Sequence, residues 1–115
     1  MPRSPITTHV LDVARGKPAA GISVMLEMLD GGNWKEIGSG RTDSDGRAAN
    51  LLAEDWLVSP GIYRITFDTS SYQSSLSVDG FYPYVPVIFE VKDPAEHYHV
   101  PLLLSPFGYS TYRGS

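Results

Sequence analysis

The sequence contains no cysteine, which excludes disulfides, thiolate nucleophiles and cysteine-based zinc sites. No stretch approaches the roughly 18 apolar residues of a membrane-spanning helix. The N-terminal residues lack the apolar run of a secretory signal. Basic residues are few: nine Lys and Arg stand against thirteen Asp and Glu, a net charge of −4 with a pI near 5.2. They form no cluster, so the electrostatic footprint of a nucleic-acid binder is missing. No GxSxG elbow, P-loop or GxGxxG turn occurs, which leaves serine-nucleophile and nucleotide-binding chemistry without a motif. What remains is a chain of 115 residues, the size of one domain. It is 42% hydrophobic with a mean hydropathy of −0.14, reading as a soluble protein expected in the cytoplasm.

Eleven glycines and nine prolines are scattered along the chain, punctuating short elements and pointing to an all-β fold. Thr7–Val13 alternates, with His9, Leu11 and Val13 on one face and Val10 and Asp12 on the other. Ile22–Leu29 and Trp34–Gly38 flank Asp30-Gly31-Gly32-Asn33, a strong hairpin signal. Asp45-Gly46 makes a second turn, with Arg47 directly after it. Ile62–Phe67, Tyr84–Val91, His97–Leu104 and Tyr109–Arg113 complete seven or eight strands. Thr69–Leu76 is the one predicted helix, short and serine-rich, with Thr69 or Ser70 as its N-cap. Strands at this spacing predict a β-sandwich or barrel.

Chemistry-bearing residues are sparse. His97 and His99 are two apart on a predicted strand and share a face, while His9 lies mid-strand beside Leu11. Histidine titrates near neutral pH and suits acid–base work. The residues alone do not choose between His97 and His99. Three histidines also admit a zinc site, although no acidic ligand stands at a fixed short spacing. Asp43-Ser44-Asp45-Gly46 looks like part of a calcium loop, but Arg41 and Leu52 occupy the positions that need Asp and Glu. It is therefore read as a turn. Arg47 has the donor fork to grip an anion. The C-terminal residues are aromatic and basic rather than a polar tail.

The run from His97 to Ser115, HYHVPLLLSPFGYSTYRGS, resembles the C-terminal signature of the 5-hydroxyisourate hydrolases, transthyretin-related enzymes of urate breakdown. THVLDVARGKPA at Thr8–Ala19, GRTDSDGR at Gly40–Arg47 and GIYRITFDTSSY at Gly61–Tyr72 agree with it. The resemblance implies a transthyretin-like β-sandwich of two four-stranded sheets with one short helix. It implies a homotetramer with active sites at the dimer–dimer interface, acting on a small molecule without metal or cofactor. Carried over by position, the catalytic residues fall on His9, Arg47, His99 and Ser115. Tyr112, Ser110, Arg113 and Gly114 join His9 and Arg47 in binding substrate. The resemblance favours His99 over His97, and it places the site at the end of the chain, so that a C-terminal tag is expected to impair activity. A non-catalytic, transthyretin-like ligand carrier is the alternative.

Overall fold

The computed structural model describes residues 4–115. Two sheets pack face to face. One runs in the order β4-β3-β6-β7, built from β3 (Ser23–Asp30), β4 (Asn33–Arg41), β6 (Gly61–Phe67) and β7 (Val85–Val91). The other contains β1 (Ile6–Asp12), β8 (Tyr98–Ser105) and β9 (Gly108–Thr111), together with β2 (Lys17–Pro18) and β5 (Arg47–Ala48). β2 pairs with Leu11 and Asp12 while β5 pairs with Thr8 and His9. Val10 joins the two segments along this edge, its N–H donating to the Gly46 carbonyl at 2.8 Å and its own carbonyl accepting from Ala19 at 3.0 Å. The two segments therefore share the fourth strand position of this sheet.

Period-two alternation decides what is buried. In β1, Ile6, Thr8, Val10 and Asp12 are buried, while His9 and Leu11 face outward and are half-buried. In β6, Tyr63, Ile65 and Phe67 turn inward, as their alternation predicts. Leu26, Val85, Val91, Leu102 and Leu104 meet them to fill the core. The Gly31-Gly32 hairpin forms with both residues at positive φ and Asp30 paired to Asn33, the geometry of a primed two-residue turn. β4 lies at the sheet edge and is mostly exposed.

The helix α1 (Thr69–Ser75) is capped by Asp68 rather than by the expected Thr69 or Ser70. A carboxylate there accepts from both the N–H and the hydroxyl of Ser71, at 3.3 and 2.7 Å, satisfying donors that Thr69 does not reach. The Ser71 hydroxyl, first among its causes, holds the Asp68 carboxyl below its ordinary value. Thr69 is buried instead, its hydroxyl donating to the Tyr82 carbonyl at 2.7 Å. Tyr72 ties the helix to β1 by donating to Asp12 at 2.7 Å. Among the described residues no helix is long and apolar enough to cross a membrane.

Candidate active site

The outward face of the sheet containing β1, β5, β8 and β9 collects most of the candidate residues. Its register does this. β1 and β8 run parallel, pairing Thr7 with His99, His9 with Pro101 and Leu11 with Leu103. Across the other edge of β1, His9 pairs with Arg47. On the far side of β8, Leu103 pairs with Ser110, and an isolated bridge joins His99 to Gly114. Cross-strand partners project from the same face. One row thus holds Arg47, His9 and Pro101, the next holds Thr7, His99 and Gly114, and a third holds Leu11, Leu103 and Ser110.

Arg47 reaches its place because the preceding turn is pinned twice. The Asp43 carboxylate accepts from the N–H groups of Asp45 and Arg47 at 2.9 and 3.0 Å, so Asp43-Ser44-Asp45-Gly46 closes on itself. The Arg47 N–H, chief among several contacts, keeps the Asp43 carboxyl below its ordinary value against the opposing effect of burial, with the Asp45 N–H and the Arg47 charge adding to it. Gly46 then lies against β1 at φ +75°, where a Cβ would stand 2.5 Å from the Val10 carbonyl oxygen. Only glycine fits there, and its own carbonyl takes the Val10 N–H. Thr42, buried just before the turn, donates to the Ala19 carbonyl at 2.7 Å and accepts from Ile22 at 2.9 Å.

The histidine pair is organised by Thr7. Its hydroxyl oxygen lies 2.8 Å from His99 Nδ1 and 2.9 Å from His97 Nε2. The two rings stand 6.5 Å apart at 18°. β8 begins at Tyr98, which puts His97 just before the strand and His99 within it. Gly114 closes the far side of His99: its N–H donates to the His99 carbonyl at 2.8 Å, and a Cβ there would come within 2.7 Å of His99 Cδ2.

The remaining candidates divide. Leu102 pairs with Thr111 and His99 with Gly114, a register that sets the exposed Tyr112 across from Pro101. Ser110 and Ser115 are exposed. The expected last strand stops at Thr111, and only the Gly114 bridge continues the pairing. The Arg113 guanidinium is not brought to the histidine face. It binds Glu96 at 2.7 Å and the His97 carbonyl at 3.3 Å, and sits 4.5 Å over the Tyr98 ring. These contacts hold the terminal segment against the start of β8. Among the described residues no group of three His, Asp or Glu side chains is placed to hold a metal ion. Thr7 was not among the sequence candidates. Its only signal was its place two residues before His9 on the same face.

A face with one guanidinium and three imidazoles, His9 and His99 standing on adjacent rows, can bind an anion and move protons beside it. Together with the paired sheets and, among the described residues, a single short helix, this defines a transthyretin-like sandwich carrying an acid–base face. A model of the HIUase/Transthyretin family matches residues 6–114, and the chain belongs to that family. It is 47% identical over 110 residues to a 5-hydroxyisourate hydrolase of Salmonella dublin, covering 96% of this chain and 80% of that one. Its structure superposes on a Klebsiella pneumoniae 5-hydroxyisourate hydrolase with a TM-score of 0.83 at 30% identity, covering 96% and 98% of the two chains. Sea bream transthyretin, solved with thyroxine, superposes with a TM-score of 0.88 at 32% identity, covering 96% and 94%.

Proposed function

We propose that this chain is a hydrolase that opens 5-hydroxyisourate to 2-oxo-4-hydroxy-4-carboxy-5-ureidoimidazoline in urate degradation. The observation that carries the proposal is the direct pairing of His9 with Arg47, one row from His99 on the same face. In the reaction a water oxygen bonds to a ring carbonyl carbon, the ring C–N bond breaks, and the departing nitrogen takes a proton as the carboxylate forms. Neutral His9 accepts the water's proton, a step that contributes typically ~10²–10⁴-fold. Arg47 grips the substrate and faces the oxygen on which negative charge develops. His99 is the second acid–base group: it takes the proton that the forming carboxylate gives up, while the proton held by His9 passes to the nitrogen. Tyr112, Ser110 and Gly114 border the substrate's polar edge, Ser115 stands with the catalytic groups, and no metal or cofactor enters any step. Arg113, held by Glu96, acts through the segment it clamps.

The same reading makes the protein a homotetramer whose active sites lie at the dimer–dimer interface. Support comes from the packing of the single chain. Buried side chains form one core between the sheets, and His9 and His99 on the outward face are half-buried. A hollow of about 720 Å³ lies on the other sheet, lined by Met25, Glu36, Arg41 and Tyr84, and includes none of the candidate residues; hollows of about 290 Å³ take in Tyr112 and Arg113, or Arg47, and neither includes a histidine. A second copy over the Leu11, Leu103 and Ser110 row would exclude water and strengthen the electrostatics of the face.

The test is direct. 5-Hydroxyisourate generated freshly from urate is followed by its ultraviolet absorbance with and without the protein. Decay well above the spontaneous rate is expected; an unchanged rate overturns the assignment. The likeness to thyroxine-bound sea bream transthyretin favours one competing reading, a ligand carrier. That reading predicts saturable ligand binding with no acceleration of substrate loss.

A further inference from the structure

The hydroxyl of Thr7 touches one nitrogen of each of two histidines, His99 Nδ1 at 2.8 Å and His97 Nε2 at 2.9 Å. Thr7 is itself buried, 4% exposed, and sits directly across from His99 in the parallel register. A threonine hydroxyl has one proton to give and two lone pairs to accept with. It cannot donate to both rings, so at least one of the two facing nitrogens carries a proton. Thr7 therefore couples the protonation of one ring to that of the other.

We infer that Thr7 is a positioning residue that holds His99 as the Nδ1–H tautomer, accepting that proton while donating its own to His97 Nε2. This rests on the proposed acid–base role of His99. A neutral imidazole accepts a proton through the nitrogen that lacks one, and with Nδ1–H bound to Thr7 that nitrogen is Nε2, on the side of the ring away from Thr7. Gly114 fixes the same ring from its Cδ2 edge, so orientation and tautomer are both set. His97 becomes the acceptor that makes the arrangement favourable, which gives the first histidine of the His-Tyr-His run a role without contact with the reacting atoms.

The ring states are read without substrate, by ¹⁵N NMR of the whole chain at alkaline pH, where both imidazoles are neutral. The expected spectrum shows His99 protonated at Nδ1 and His97 bare at Nε2. A wild-type His99 protonated at Nε2 overturns the inference, whatever the variants do. Thr7→Val is expected to populate both His99 tautomers. It should lower kcat about three- to tenfold, the population shift one hydrogen bond supports, with KM within about twofold. Thr7→Ser, which keeps the hydroxyl, should restore tautomer and kcat. Unchanged tautomer populations in Thr7→Val would also defeat the inference. A chain that holds His99 as expected yet does not accelerate 5-hydroxyisourate loss overturns the hydrolase reading alone.

Discussion

Gly114→Ala separates catalysis from folding at this site. Gly114 has an ordinary backbone conformation, so alanine adds no torsional strain; the effect is the added methyl alone. That methyl would lie 2.7 Å from His99 Cδ2 and 3.2 Å from Pro101 Cγ. Carbon atoms rest about 3.5–4.0 Å apart, so the imidazole must move by about 1 Å or the terminal segment must lift. Moving the ring stretches its 2.8 Å contact with Thr7. Lifting the segment carries Tyr112 and Ser115 away from the face. A misplacement of this size costs about a hundredfold in rate. Stability should hardly change, because the segment joins the sheet through one bridge and the contacts of the exposed Arg113 with Glu96, the His97 carbonyl and the Tyr98 ring. The expected result is kcat down by about two orders of magnitude and a Tm within about 2 °C of wild type, at matched protein concentration. Gly108→Ala is the control, since a Cβ there meets only Ser105 Oγ, at 3.7 Å. A Gly114→Ala enzyme with kcat within twofold of wild type would refute the packing of this residue against His99.

Other outcomes follow from the same geometry. Gly46→Ala forces an L side chain to φ +75° and into the Val10 carbonyl. It should cost about 2–4 kcal/mol, lowering Tm by roughly 10 °C and reducing activity as Arg47 shifts; calorimetry beside the rate assay checks both. Burial, then the Asp12 hydrogen bond, raises the Tyr72 phenol above its ordinary value of 10.0. A raised value means a stability contribution complete below pH 10.0 and lost as pH climbs through the raised value. Tyr72→Phe should therefore cost about 1 kcal/mol at neutral pH and flatten the alkaline decline in urea midpoints; an unchanged alkaline slope would contradict this. His99→Ala should lose far more activity than His97→Ala, whose side chain acts through Thr7; equal losses would undo that division.

How much of this was legible beforehand depends on range. Alternation in Thr7–Val13 and Ile62–Phe67 and the Gly31-Gly32 turn are local, and strands form there at Ile6–Asp12 and Gly61–Phe67. The helix was legible, but its cap moved to Asp68 because a carboxylate satisfies two Ser71 donors while Thr69 is buried against Tyr82. The parallel pairing of β1 with β8 has no local signature. It joins segments about ninety residues apart, and it alone sets Thr7 beside His99. Arg113 belongs to the terminal motif that the resemblance assigns to substrate binding; alternation puts its guanidinium on the side of Glu96 and Tyr98, a placement that required the His99–Gly114 register.

The central claim is that the face shared by His9, Arg47 and His99 hydrolyses the ring. It is tested most directly by the kcat/KM for 5-hydroxyisourate of His9→Gln and Arg47→Gln beside wild type. Each variant is expected to fall by at least about a hundredfold while keeping wild-type stability, since both side chains point away from the core. Variants that retain wild-type kcat/KM would contradict the account.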